Sequence, residues 1–250
     1  KDGYTNIGFS GRVKYDFTEN LSLDIRGINS KADNSLDSSS WAPPYLPIDS
    51  GLTSLTTQNS LYIGLNSNAF EGKLSQQISY KYYETKRKYE DPDIWADPAY
   101  YSYFGIVEAI DYQGEIKFGP EFSVVFGGGN EQTSYKNYYP ASWSGSPYDI
   151  QNTSIYNIFA DAHANPFKGL NLTFGIRYDN HEKFGDNIGV RSTISYTQND
   201  GNTIIRASYG EGFKAPTLYQ LYNSYGNPNL IPEIAKAYDF RLPQKVSDEW

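Results

Sequence analysis

No cysteine occurs among the 250 residues. Disulfides, thiolate nucleophiles and cysteine-held metals are therefore excluded, and cysteine usage leaves the redox compartment open. Histidine is almost as scarce: His163 and His181 are the only two, and their spacing makes no metal-binding pair. No G-x-S-x-G motif accompanies them, which leaves a serine hydrolase without support, so the chain does not read as an enzyme. No run approaches the ~18 consecutive apolar residues of a membrane helix. Positive charge is in deficit, with 21 Lys and Arg against 29 Asp and Glu for a net charge of −8. Phosphate contacts need clustered cations, so nucleic acid is not an expected partner. The opening Lys1-Asp2-Gly3-Tyr4 carries no secretion signal and enters strand-like sequence directly. An excerpt from a longer chain is the favoured reading, a mature N-terminus the other.

Aromatic side chains are plentiful: 24 Tyr, 13 Phe and 4 Trp make up 16% of the chain, too many for a disordered segment. The mean hydropathy of −0.62 does not exclude a membrane protein, because the strands of a membrane barrel are apolar only at alternate positions. Period-two alternation does run through the sequence. Tyr156, Ile158, Ala160, Ala162 and Ala164 alternate with Asn157, Phe159, Asp161, His163 and Asn165; Leu172, Phe174, Ile176 and Tyr178 with Thr173, Gly175, Arg177 and Asp179. Ile188, Val190, Ile194 and Tyr196 oppose Gly189, Arg191, Thr193 and Ser195. Earlier segments repeat the pattern, from Ile7, Phe9 and Val13 through Leu61, Ile63 and Leu65 to Ile110, Tyr112 and Ile116. This predicts about ten strands of roughly 10–13 residues, with an eleventh near Ile234–Leu242.

Five short turns, at 17–20, 68–71, 119–120, 165–169 and 199–202, alternate with connections that are mostly longer, near 30–57, 86–103, 134–151, 180–186 and 213–233. Such asymmetry marks an antiparallel transmembrane β-barrel, an all-β fold with brief reversals on one side and loops on the other. Charge supports it. Arg12, Lys14, Asp24, Arg26, Lys81, Asp111, Glu115, Asp161, Arg177, Arg191 and Arg206 all fall on the polar face of their segments, where a watery lumen solvates them. An Arg facing mid-bilayer lipid would cost roughly 2–4 kcal/mol. Tyr15, Tyr80, Tyr82, Tyr178, Tyr196 and Tyr209 sit on the apolar face near segment ends, as interfacial girdles do. A soluble sandwich also alternates, but strands averaging ~5–6 residues would suffice for it.

The segment 206–233 carries a family resemblance. Ser208-Tyr209-Gly210, Phe213-Lys214-Ala215-Pro216, Gln220-Leu221-Tyr222, Tyr225-Gly226-Asn227-Pro228-Asn229-Leu230 and Pro232-Glu233 closely resemble the barrel signature of TonB-dependent outer-membrane receptors, especially the vitamin B12 (cobalamin) branch. Arg177-Tyr178-Asp179-Asn180 and Phe184-Gly185 resemble the strand and short apical loop just upstream. The resemblance implies a Gram-negative outer-membrane location and a barrel of about 22 strands around an N-terminal plug. It further implies active import of a scarce ligand, cobalamin first and a ferric chelate (siderophore) second, driven by a TonB complex pulling on that plug. Residues 1–242 would supply part of the barrel, and no segment here suits the plug. Residues 243–250 read as an irregular tail, from truncation or a frameshift. A passive porin or structural barrel is the competing reading.

Physical sense can be made of the signature itself. Pro216 ends a strand, since it cannot donate to a ladder. Thr217–Tyr222 suits a short helical turn with Leu218, Leu221 and Tyr222 packed on the rim, and Gly226-Asn227-Pro228 is a turn signal. For most of these residues a structural loop is a better reading than a ligand site. Ligand capture is expected from the aromatics of two apical loops: Tyr89, Trp95, Tyr100, Tyr101 and Tyr103 in one, Tyr135, Tyr138, Tyr139, Trp143 and Tyr148 in the other. Flat amphipathic rings suit a corrin or chelate, although the same rings also pack loops together. Asp91, Asp93 and Asp97 are calcium candidates by oxygen content, but they do not follow EF-hand spacing, and a solvated acidic loop is favoured. No resident cofactor is otherwise expected.

Overall fold

The computed structural model describes residues 3–40, 42–92, 100–139, 150–198 and 202–244. Eleven strands form one antiparallel sheet in which sequence neighbours are also spatial neighbours. They are β1 (Tyr4–Thr18), β2 (Leu21–Ser35), β5 (Thr53–Ala69), β6 (Leu74–Glu90), β7 (Tyr100–Lys117), β8 (Phe122–Tyr138), β9 (Gln151–Ala164), β10 (Leu170–His181), β11 (Gly185–Gln198), β12 (Thr203–Lys214) and β13 (Glu233–Arg241). A two-stranded ribbon, β3 (Ser38–Ser39) with β4 (Pro47–Ile48), decorates the β2–β5 connection. The only helix among the described residues, Leu218–Tyr222, lies in the β12–β13 connection. This is a partial wall of a membrane-type barrel, and the predicted fold class stands.

Burial in this sheet is inverted relative to a soluble protein. Ile188 on the apolar face is 61% exposed, while Asp161 on the polar face is 7% exposed. Apolar side chains left without a protein core are stable only where another apolar medium covers them. The lipid-facing reading of that face follows from this.

Strand lengths depart from the sequence reading. β5 and β6 run for 17 residues and β7 for 18, well past the segments where apolar alternation is visible. On β6 the outward positions read Leu74, Gln76, Ile78, Tyr80 and Tyr82 and then Glu84, Lys86, Lys88 and Glu90. On β7 the outward row is interrupted above Ile110 by Glu108, although Ile106 and Phe104 still follow on the same face. The lipid-facing band is therefore about 9–11 residues of tilted strand, as a bilayer requires, and the ladder continues into water. Polar residues enter the outward face there, so the period-two signal weakens while backbone pairing persists. Tyr89, Tyr100, Tyr101, Tyr103, Tyr135 and Tyr138, expected in loops, consequently lie on strands. Beyond β13 the pairing also persists briefly, with Ile204 N–H donating to the Pro243 carbonyl and Gln244 bridging Thr203.

Candidate functional site

Along the polar face, charges are arranged as carboxylates low against the sheet and cations above them. Asp24 accepts from Arg12 at 2.9 Å and from Arg26, whose guanidinium also lies 4.9 Å from the centre of the Tyr62 ring. Lys81 pairs with Asp111 at 2.9 Å, Arg177 with Asp179 at 2.8 Å and Arg191 with Asp161 at 2.7 Å. The register places these side chains in one phase, for Gly175 lies opposite both Asp161 and Arg191 across its two ladders. Asp24, Asp161 and Asp179 are buried while their partner cations stay about half exposed. Long cationic stems cover the wall and keep their charged heads in water, so the lumen meets guanidinium and ammonium tips. A cavity of about 330 Å³ sits on this wall, lined among others by Phe159, Asp161, Arg177, Asp179, Arg191 and Phe213.

Above the ion pairs the same face turns aromatic. Tyr89, Tyr101 and Tyr103 are in phase with Lys81 and Asp111, and Tyr135 and Asn137 continue the row on β8, with Tyr139 just past its end. Tyr89 and Tyr101 stack with centroids 4.7 Å apart, and Tyr101 stacks on Tyr139 at 6.0 Å. Tyr103 stands edge-on to Tyr139, and their hydroxyls are hydrogen-bonded at 2.8 Å. Burial and the neighbouring Tyr89 push the Tyr101 phenol up to about 12, and burial raises Tyr103 and Tyr135 further. Arg87, opposite Tyr103, adds the cation nearest the cluster in register and donates to the Thr56 hydroxyl.

The candidate aromatics thus divide by parity. Tyr89, Tyr101, Tyr103 and Tyr139 come together on the lumenal side. Tyr100 and Tyr138 stack on each other, centroids 4.9 Å apart, on the opposite face, with Lys88 over the Tyr100 ring. Trp95, Trp143, Tyr148, Asp93 and Asp97 lie outside the described residues. Asp91 lies just after β6, and among the described residues no group of three or more metal-ligating side chains assembles.

The signature segment reaches the same place. Phe213 and Lys214 end β12, Ala215 and Pro216 lead off the strand, and Thr217 caps the helix Leu218–Tyr222. The cap is reciprocal: the Thr217 hydroxyl accepts from Gln220 N–H, and the Gln220 side chain accepts from Thr217 N–H. Two orphan donors are satisfied in this way. Leu218 and Leu221 are buried, as expected, but the helix packs inward on β8 and β9 rather than on the rim alone. Tyr219 touches Tyr103 at 5.6 Å and Tyr135 at 5.9 Å between centroids.

Gly226 returns the chain under the helix. A Cβ there would sit 2.8 Å from the Leu221 carbonyl carbon, closer than backbone tolerates. Asn227 N–H donates to the Gln220 carbonyl, Leu230 N–H to the Asn227 carbonyl, and Asn229 N–H to the Asn227 side chain. From the β10–β11 hairpin, Lys183 reaches the Tyr222 hydroxyl at 3.2 Å and the Pro228 carbonyl at 3.4 Å. Pro232 then leads to Glu233, where β13 begins, and Lys214 faces Glu233 at 3.6 Å. Tyr219, Asn137 and Lys183 were not singled out in the sequence. The parity of β7 and β8 would have placed Asn137 on the aromatic row, but nothing local signals that the helix folds onto it.

A family model described as TonB dependent receptor-like, beta-barrel, matches residues 1–242. Among solved structures, the chain is similar to a ferric enterobactin receptor mutant from Pseudomonas aeruginosa (17% identity, TM-score 0.73, covering 96% of this chain and 40% of that one). It is also similar to the siderophore receptor PirA from Acinetobacter baumannii (16%, 0.75, 97% and 41%). A copper transporter, OprC, aligns comparably (11%, 0.74, 96% and 42%). At these identities the likeness is one of fold, and the chain spans about two-fifths of the length of each structure.

Proposed function

The chain belongs to the TonB-dependent receptor-like β-barrel family, a family of receptors and transporters rather than enzymes, and on that footing we propose that it forms part of an outer-membrane importer for a ferric chelate. The whole receptor would use a plug and a TonB complex to admit its cargo. The expectation of cobalamin is not carried forward. The similar structures are described as receptors for ferric enterobactin, as siderophore receptors or as a copper transporter, which supports a metal chelate instead.

The observation that carries this reading is the layering of the lumenal face, a tyrosine cluster with Arg87 above a wall of half-exposed cations over buried carboxylates. Ferric catecholates are flat-ringed anions. Tyrosine faces give them contact area and hydroxyl partners, and exposed cations favour entry of negative charge over positive. A corrin carries no comparable negative charge and would gain little from the cationic wall.

The test is equilibrium binding by the full-length receptor to ferric enterobactin, a ferric hydroxamate and cyanocobalamin, with uptake followed in cells with and without TonB. A ferric chelate is expected to bind best, and its uptake to stop without TonB. Tight binding of cyanocobalamin alone would overturn the cargo, and TonB-independent uptake would overturn the energy coupling.

A further inference from the structure

Asn137 is 1% exposed on the lumenal row of β8, and neither its amide nitrogen nor its amide oxygen has a hydrogen-bond partner. Two residues away on the same row, Tyr135 is 7% exposed and its hydroxyl is likewise unpartnered. Leaving such groups buried and unpaired is costly, and buried polar groups in native proteins are nearly always satisfied. Tyr219, from a helix of only five residues, lies against Tyr135 and Tyr103 and remains about half exposed.

We propose that Tyr135 and Asn137 form a closed ligand subsite, uncovered when the signature helix withdraws Tyr219, that takes a carboxamide of the imported ligand. The inference rests on the importer reading and names a group its cargo must carry. A carboxamide side chain presents a donor and an acceptor, and because the N–H and C=O of a secondary amide point to opposite edges, each end of Asn137 would meet a different amide. Asn137 would donate Nδ2–H to one ligand carbonyl, to which Tyr135 also donates its hydroxyl, and would accept the N–H of a second ligand amide at Oδ1. An anionic group fits poorly here. No cation in the register faces Asn137, and burial holds the Tyr135 phenol protonated far above its ordinary range. The chelated metal and its negative charge would stay near Arg87 and the wall below, with the amide-bearing periphery at β8.

Two measurements on the full-length receptor, in a background free of other cysteines, decide it. The first is maleimide labelling of Asn137→Cys in outer-membrane vesicles. Labelling should be slow, and should rise at least tenfold when Tyr219→Ala is added. Unchanged labelling would mean that the helix is not the cover, and would overturn the proposal.

The second compares ferric enterobactin, whose catechols hang on amide linkages, with the ferric complex of unsubstituted catechol. Wild type should favour the amide-bearing chelate. Asn137→Leu should weaken enterobactin binding about tenfold and Tyr135→Phe about fivefold, the ordinary effect of losing one or two buried hydrogen bonds, with catechol binding unmoved in both. Equal losses for both chelates, or none, would leave these residues a structural role only and overturn the subsite. Should cyanocobalamin bind in place of any chelate, the cargo reading falls, yet this ligand also bears carboxamides and the same substitutions must still weaken it.

Discussion

Tyr101 shows how a single side chain on this wall is governed by its surroundings. It is stacked between Tyr89 and Tyr139, above the lipid-facing band. Burial favours its uncharged form and lifts its phenol from 10.0 to about 12. A folded-state pKa above the unfolded one means that stability is intact below pH 10 and is lost as pH climbs through 12. The full-length receptor should therefore unfold more readily at pH 11 than at pH 9, by urea midpoint in detergent. Tyr101→Phe should make that decline shallower, and a decline of unchanged steepness would contradict the assignment. Sequence places Tyr101 correctly among aromatics but wrongly in a loop. The reason is physical: once the wall leaves the bilayer, neither face needs to be apolar, and alternation no longer marks a strand that hydrogen bonding still holds.

The strap between β12 and β13 is the element on which the site depends. Its short helical turn, its turn at Gly226-Asn227-Pro228 and its buried Leu218 and Leu221 are all legible in sequence, because each is a local device. Its destination is not, since packing on β8 and β9 joins segments far apart in the chain and leaves no periodic trace. Gly226 is where local and long-range demands meet. Gly226→Ala would press a methyl group against the Leu221 backbone, and overpacking of this kind costs about 1–3 kcal/mol. The wall does not depend on that contact, so its unfolding midpoint should hold. Cleavage by chymotrypsin among Leu218, Tyr219, Tyr222 and Tyr225 should rise severalfold, as local opening becomes easier. Equal protease resistance in the two proteins would show that the strap is not held by this close approach.

At the scale of the whole wall, strand number and direction constrain what completes it. Eleven is odd, so β1 and β13 both run from the long-loop side toward the short-turn side. A second copy set alongside in the same orientation would have to pair them in parallel, whereas an antiparallel closure needs flanking strands running the other way. Unpaired edges are not tolerated in lipid, and closure by further strands of the same barrel meets that requirement. Which side of the closed wall meets lipid follows from face, not from composition, and can be read from paired substitutions three residues apart. Ile110 points outward within the apolar band and is more than half exposed, while Gln113 lies on the lumenal row with Asp111 and Glu115. Ile110→Arg should cost about 2–4 kcal/mol, the depth-dependent cost of a cation facing hydrocarbon. Gln113→Arg, solvated beside two carboxylates, should cost well under 1 kcal/mol by the same scale. Reversible folding of the full-length receptor into phospholipid vesicles, followed by urea midpoint, measures both. Comparable losses at the two positions would mean that the apolar face does not meet the bilayer, and the layered lumen argued from it would have no inside.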